Sequence, residues 1–156
     1  MQKPLGLTLL ELLVLLAILG LLLALGVGQL RSDRTAVNQA AQTLAAQVTR
    51  ARLEAIRQNE FAGLAFSNAG SGSYRVFLDT NHNGQYDPGE PTLQAVLFGQ
   101  GDWAQVRLQS PAEAFFVFDS RGIPISSQAL TITLANRAGT YTRTVQISSQ
   151  GRANIP

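Results

Sequence analysis

The sequence predicts an α+β protein: a long N-terminal α-helix, its first half transmembrane, packed on an antiparallel β-sheet head of one sheet or two small sheets. Three observations support this fold class. Apolar side chains are concentrated in the first thirty positions, an apolar period of 3.6 residues continues to about residue 59, and a period of two begins there. At 156 residues, the chain is long enough for one such head and too short for two.

The first element is an apolar segment, residues 7–30, that can form a membrane-crossing helix. Positions Leu12 to Leu30 carry no charged side chain, and nineteen helical residues span about 28 Å, close to the roughly 30 Å hydrocarbon core of a bilayer. An ordinary secretory signal is an alternative interpretation, because Lys3 would supply its positive start and the small residues before Val27 would supply its cleavage site. Such a signal does not account for Glu11, because a bare charge in an apolar segment costs roughly 2.5–3.5 kcal/mol on insertion scales.

The helix is expected to continue through residues 31–60 as an amphipathic segment. One stripe of this segment is apolar and mostly alanine, so a sheet could approach it closely. Arg50 and Glu54 have the spacing of an i,i+4 ion pair on another face. The apolar positions recur at steps of three and four: Val37, Ala40, Ala41, Leu44, Val48, Ala51, Ala55 and Ile56.

Residues 61–156 are predicted to form the β-rich globular head. Short runs of β-branched and aromatic residues alternate there with Gly, Asn, Asp and Pro, which indicates strands joined by turns. The aromatic residues Trp103, Tyr141, Phe115, Phe116 and Phe118 fall in these runs and are expected in the core. The candidate strands are Phe61–Ser67, Tyr74–Asp79, Leu93–Phe98, Trp103–Gln109, Phe115–Asp119, Ala129–Ala135, Tyr141–Ser148 and Arg152–Ile155.

Composition argues against catalysis. The chain has no cysteine, which excludes a disulfide scaffold, a catalytic thiolate and a zinc-thiolate site. Its one histidine, His82, lies in a turn-like segment, and no Ser/His/Asp or metal-hydrolase spacing is present. We therefore expect no enzymatic activity.

Residues 79–90 match the twelve-residue pattern of a calcium-binding loop, with oxygen-bearing residues at the ligand positions and glycine at the sixth. Three neighbouring carboxylates would repel one another without a cation. A strand is predicted before the segment and Pro91 directly follows it, so a solvated turn fits slightly better than an EF-hand. The candidate calcium ligands are Asp79, Asn81, Asn83, the Gln85 carbonyl, Asp87 and Glu90.

The last 36 residues are the basic end of the chain. They contain no acidic side chain, and a few arginines that face one way can hold a DNA backbone without reading its bases. The alternative is that scattered arginines only keep the β-hairpins soluble, and a net charge of +2 does not by itself imply nucleic acid. The candidate DNA-binding residues are Arg121, Arg137, Arg143 and Arg152.

The run from Gly6 to Val14, Gly-Leu-Thr-Leu-Leu-Glu-Leu-Leu-Val, resembles the prepilin signature of type IV pilins and type II secretion pseudopilins. The resemblance implies that a prepilin peptidase removes the leader, residues 1–6, by cutting between Gly6 and Leu7. It also implies N-methylation of Leu7 and pairing of Glu11 with the terminal amine of a neighbouring subunit. Mature family members usually begin with Phe, so Leu7 is a departure from the pattern.

The head is similar to the GspH/FimT group of minor pilins and pseudopilins. The likeness rests on residues 74–90, on Phe116-Val117-Phe118 ahead of Arg121-Gly122, and on the segments 131–134, 143–145 and 149–152. It implies a non-enzymatic subunit anchored by a single pass in the inner membrane, with its head in the periplasm. Such subunits join other pilins in a type IV pilus or a type II secretion pseudopilus.

Two further expectations follow from this resemblance. Major pilins commonly close a C-terminal loop with a disulfide, so the absence of cysteine favours a minor subunit. Some relatives in the FimT branch bind DNA during uptake for natural transformation, and the basic C-terminal end keeps that alternative open.

Overall fold

Two separate parts of the chain are described by the structure, a computed structural model: helix α1, Leu9–Val27, and a compact unit, Asp33–Pro156. Side chains are described for residues 9–21 and 33–156. The predicted leader and cleavage site, Gly6 and Leu7, and the expected continuity of the helix through residues 28–32 lie outside the described residues. Where side chains are described, no helix is both long enough and apolar enough to cross a membrane.

Helix α2, Asp33–Gln58, carries the alanine-rich stripe that the sequence predicts. Ile56 is the exception, because it is 48% exposed, and Ala36 joins the buried set instead. The helix ends in a Schellman motif: Asn59 has a φ of 52° and donates its N–H to the carbonyl of Ile56, while Glu60 donates to that of Ala55. The buried residues are Ala36, Val37, Ala40, Ala41, Leu44, Val48, Ala51 and Ala55.

The strands form two antiparallel four-stranded sheets, which confirms the predicted α+β class with two small sheets. The strand order is β3-β2-β1-β5 in the first sheet and β4-β6-β7-β8 in the second. The strands are β1 Phe61–Ser67, β2 Ser73–Asp79, β3 Thr92–Leu97, β4 Val106–Ser110, β5 Glu113–Phe118, β6 Leu130–Asn136, β7 Thr142–Ile147 and β8 Ala153–Asn154.

Both sheets contribute to a core that includes the apolar stripe of α2. Phe66 and Phe116 come from the first sheet, and Ile132 and Val145 come from the second. On the other face of the first sheet, a smaller buried cluster consists of Ala65, Phe77 and Val117, against which Phe61, Tyr86 and Phe115 pack. The first sheet therefore buries apolar side chains on both of its faces, and the cluster on the outer face is covered in part by Tyr86 from the loop after β2.

Besides the burial of Ile56, two local predictions are wrong. Trp103 does not begin a strand but ends a short 3₁₀ turn, Gly101–Trp103, because Gly99 turns the chain at a φ of 80° and donates its N–H to the Trp103 carbonyl. Glu54 forms its ion pair with Arg57, at 2.7 Å, rather than with Arg50. The predicted partner Arg50 instead donates to the side chain of Gln94 on β3, where the sheet offers a neutral acceptor.

Candidate functional site

Helix α1 places a carboxylate in an apolar segment. Glu11 lies in the first turn of the helix, where the helix dipole favours a negative charge. The described side chains around it, residues 9–21, are all exposed, and leucines such as Leu9 and Leu10 are more than 70% exposed. A helix that is apolar on all sides is normally buried in a membrane or among other helices.

The candidate calcium loop, residues 79–90, is closed by its own hydrogen bonds. Asp79, at the end of β2, is fully buried, and its two carboxylate oxygens accept the backbone N–H groups of Asn83 at 3.1 Å and of Gly84 at 2.8 Å. Asn83 also accepts the backbone N–H of Gln85 through its side-chain oxygen, at 2.8 Å. The sequence folds this way because Gly84, with a φ of 78°, lets the chain turn back over Asp79.

The other two carboxylates of the loop are also hydrogen-bonded. Asp87 Oδ2 accepts the side-chain amides of Asn81 at 2.8 Å and Asn83 at 2.6 Å. Glu90 accepts the backbone N–H groups of Thr80 and Asp87, both at 3.0 Å. These donors stabilise the negative charges of the two carboxylates, which a bound cation would otherwise do. Within residues 9–21 and 33–156, no group of three or more His, Cys, Asp or Glu side chains is placed to hold a metal ion.

Calcium binding at the predicted ligands therefore stays a prediction. Oxygen atoms are present in sufficient number, since the loop supplies carboxylates, amides and a carbonyl, but an incoming cation would have to replace several of the hydrogen bonds.

His82 fastens this loop to the junction between α2 and β1. Its ring stacks on Phe61 with the ring centroids 4.2 Å apart, and its Nε2 forms a hydrogen bond with Glu60 Oε1. The hydrogen bond from His82, together with the backbone N–H of Phe61, lowers the pKa of Glu60 below its ordinary value. The histidine thus has a structural role, consistent with the expectation that it is not catalytic.

Two of the four candidate DNA-binding arginines are engaged within the chain. Arg121 donates to Asp119 through Nε and Nη2, at 3.2 and 3.0 Å. Burial opposes ionisation of Asp119, but the N–H of Ile123 and the contacts with Arg121 lower its pKa overall. Arg143 donates to the side chain of Asn38 at 3.0 Å and to the carbonyl of Pro156 at 2.8 Å.

Arg121 and Arg143 lie near different parts of α2. Arg143 contacts Asn38, whereas the turn that contains Arg121 packs against Ile56, since a Cβ placed on Gly122 would lie 2.8 Å from Ile56 Cδ1. Positions 38 and 56 are about 27 Å apart along the helix. The structure therefore does not bring these two guanidinium groups together.

Arg137 has a different neighbour, Arg107, which is not among the candidate DNA-binding residues predicted from the sequence. Both arginines line a hollow of ≈ 130 Å³ between β4 and the turn that follows β6. Arg152 borders a separate hollow, ≈ 630 Å³, at strands β6 to β8. Alternating burial in β4 shows that Arg107 points outward, a signal readable in the sequence, but only the pairing of β4 with β6 brings Arg107 near Arg137.

Comparison with known proteins identifies related chains. Residues 40–151 match the family described as Type II transport protein GspH. Pilin-like protein PilA1 of Thermus thermophilus is 52% identical over 154 residues, which cover 96% of this chain and 97% of that protein.

Two crystal structures of the Pseudomonas aeruginosa PAO1 type IV minor pilin FimU have a similar fold. Their TM-scores are 0.52 and 0.55, with 16% identity in both cases. The alignments cover 76% and 80% of this chain and 91% and 90% of theirs. At this identity, the likeness is one of fold.

Proposed function

The chain belongs to the GspH family of pilins and pseudopilins, and from this we propose that it is a minor subunit that assembles through α1 into a type IV pilus or a type II secretion pseudopilus. The family consists of structural subunits, so the chain is not an enzyme. The proposal is carried by one observation: α1 exposes apolar side chains over residues 9–21, where its side chains are described, and includes a carboxylate, Glu11, in its first turn.

This arrangement suits a helix that moves from the membrane into a filament. In the inner membrane, the apolar side chains face lipid, and the head lies in the periplasm. Cleavage by a prepilin peptidase between Gly6 and Leu7 creates a terminal amine, which is then N-methylated. In the filament, Glu11 of one subunit pairs with the amine on Leu7 of its neighbour, because opposite charges offset each other's desolvation in an apolar environment.

The first test is the start of the mature protein. N-terminal sequencing of the chain purified from membranes should begin at Leu7, with a methylated amine by mass spectrometry. A start at Val27 would instead identify an ordinary secretory signal and would reject the assembly proposal.

The second test separates membrane insertion from assembly. A Glu11→Gln variant should reach the membrane in normal amounts but be lost from sheared filaments or from crosslinks with other pilins. Asp102→Asn, which removes an exposed carboxylate from the head, serves as the control and should assemble normally. Gene deletion then distinguishes the machine: loss of exoprotein secretion indicates a pseudopilus, and loss of twitching or transformation indicates a type IV pilus.

DNA contact during natural transformation is a second candidate function. The observation in its favour is that Arg107 and Arg137, both exposed, line one hollow, which places two arginines close enough together to contact the same phosphate backbone. The engaged arginines, Arg121 and Arg143, fit this function less well because their guanidinium N–H groups already donate hydrogen bonds within the chain.

A further inference from the structure

Strand β5 is an edge strand whose outer side is covered over only part of its length. On its inner side it pairs with β1 from Ala62↔Phe118 to Ser67↔Glu113. On its outer side, the carbonyl of Val117 accepts the N–H of Ile125 at 3.0 Å, and Asp119 donates to the carbonyl of Ile123 at 2.8 Å.

The segment that covers the outer side of β5, which contains Ile123 and Ile125, leaves the strand at Ser126. There the side chain of Ser126 accepts the N–H of Gln128, and the chain turns toward β6. The half of β5 that contains Glu113 and Phe115 is therefore left without this cover.

Backbone geometry tells which groups this leaves open. Successive residues of a strand direct their N–H and C=O groups to opposite sides. The carbonyl of Val117 points outward, to Ile125. The carbonyl of Ala112 points inward, where it accepts the N–H of Asn68 at 3.0 Å. Glu113 and Phe115 therefore direct their N–H and C=O groups outward. Within residues 33–156, neither has a backbone hydrogen bond on that side.

A hollow of ≈ 310 Å³ lies on the face of the first sheet just inside this open edge, and Glu113 and Phe115 are among the residues that line it. Ala65 on β1 pairs with Arg75 on β2 and with Phe115 on β5. The hollow arises because the small side chain of Ala65 lies between these two larger ones. Tyr86 closes one side: the Arg75 guanidinium lies 4.8 Å from its ring centroid and donates to its hydroxyl at 3.0 Å. The hollow thus has aromatic walls and a small-residue floor.

The charges around the hollow are not equivalent. Arg75 is half-buried and engaged with Tyr86, both through the ring face and through the hydroxyl. Glu113, at the rim, is exposed and has neither an ion pair nor a side-chain hydrogen bond to another part of the chain that the structure describes. The accessible charge at the open edge is therefore negative.

We propose that the open half of β5 accepts an added antiparallel strand from a partner protein, supplied as an extended segment that carries a basic side chain opposite Glu113 and an apolar side chain opposite Phe115. Strand addition uses open main-chain groups for affinity and adjacent side-chain pockets for selectivity, and both are present here. Opposite charges and aromatic–aliphatic pairs are favourable directly across neighbouring strands.

Glu113 also accounts for selectivity at this edge. A charge on an edge strand discourages unspecific pairing with other strands. Here the same carboxylate lies beside a hollow that can hold a side chain, so it repels acidic segments and favours basic ones. The proposal concerns the head alone and holds whether or not α1 assembles as proposed above.

The test uses the full chain in detergent and short synthetic peptides. Each peptide has a threonine background with a lysine and a valine two positions apart, and matched peptides replace the lysine with glutamate or serine. Fluorescence anisotropy should show binding of the lysine peptides, with weaker binding of serine and glutamate peptides. Hydrogen exchange should slow at the amides of Glu113 and Phe115. Absence of binding, or protection elsewhere in the chain, would overturn the proposal.

Charge reversal provides the specific control. Glu113→Lys should weaken binding of the lysine peptide by about two- to fivefold and strengthen binding of the glutamate peptide. Asp102→Lys makes the same charge change at another exposed site and should alter neither. Equal effects of the two variants would indicate general electrostatics and reject the site. If Glu113→Lys fails to fold, the hydrogen-exchange pattern of the unmodified chain still decides.

Discussion

The hydroxyl of Tyr141 donates a hydrogen bond to the side-chain oxygen of Asn38 at 2.9 Å and so joins the second sheet to α2. Arg143 donates its Nε–H to the same oxygen at 3.0 Å. The guanidinium of Arg34, one turn earlier on the helix, lies 5.4 Å from the centre of the Tyr141 ring. One amide oxygen on α2 therefore accepts two donors from β7 and the residue before it.

Replacing Asn38 should weaken this junction. Asn38→Ala leaves two donors, from Tyr141 and Arg143, without their acceptor, and we expect the free energy of unfolding to fall by about 1–3 kcal/mol. Chemical denaturation of the full chain in detergent measures the change. Gln39→Ala, at the next and exposed position of α2, should change stability by less than about 0.5 kcal/mol. Equal values for the two variants would show that the shared acceptor contributes nothing.

The strands of the head were largely predictable because each carries its own local pattern. The alternation of apolar and polar residues, as in Val106 and Leu108 around Arg107, is visible in the sequence without knowledge of any partner strand. The order β3-β2-β1-β5 was not predictable, because it depends on β1 pairing with a strand that begins some fifty residues later. The need for glycine at position 63 can be explained only once that pairing is known, because a Cβ on Gly63 would lie 2.7 Å from the carbonyl oxygen of Phe116.

The candidate sites show the same limit. The spacing of Asp79 and Glu90 indicates oxygen ligands, but it does not show that backbone N–H groups of the loop already occupy those oxygens. Likewise, a count of arginines places Arg121 and Arg137 in one set, although one is ion-paired and the other lines a hollow with Arg107. Side-chain chemistry is local information, whereas its availability depends on tertiary contacts.

The acidic loop offers a test that separates its two interpretations. If calcium binds, millimolar calcium should raise the melting temperature of the full chain, and Glu90→Ala should abolish the rise. If the loop is a closed turn, calcium should have no effect. In either case, Glu90→Ala should lower stability by about 1–2 kcal/mol without metal, because the N–H groups of Thr80 and Asp87 lose their acceptor.

Controls for this experiment address general charge effects. Magnesium at the same concentration should not reproduce a calcium-specific rise, and Asp102→Ala should respond to calcium as the unmodified chain does. A rise that persists in Glu90→Ala would place any calcium effect outside this loop.

The arginine geometry predicts unequal effects on DNA binding. The double variant Arg107→Ala with Arg137→Ala should reduce affinity for duplex DNA by about tenfold and flatten its salt dependence, since phosphate contacts release counterions. Arg121→Ala should have little effect, because that guanidinium already pairs with Asp119. Fluorescence anisotropy at several salt concentrations measures both quantities. Equal losses in the two variants would contradict the assignment, and salt-independent or absent binding would remove DNA contact as a function.

Tyr74 has a buried hydroxyl that finds no hydrogen-bond partner within residues 33–156. Its ring packs between Phe66 and Phe98, with centroid distances of 6.5 and 5.9 Å. Tyr74→Phe keeps this ring and removes only the unsatisfied hydroxyl, so near neutral pH we expect stability to be unchanged or higher by up to about 1 kcal/mol. A loss of more than about 1 kcal/mol by chemical denaturation would indicate a partner for the hydroxyl.

The same substitution should change the response to alkaline pH. Burial raises the pKa of Tyr74 to about 12 in the folded chain, against a smaller lowering effect of Arg50, from an ordinary value of 10.0. The unfolded chain therefore loses this proton first, and the stability that depends on the neutral hydroxyl is complete below pH 10.0 and falls as the pH rises toward about 12. Denaturation at several values in this window should show a steeper loss for the unmodified chain than for Tyr74→Phe, since the other tyrosines titrate in both. Parallel curves would mean that Tyr74 is not the group responsible.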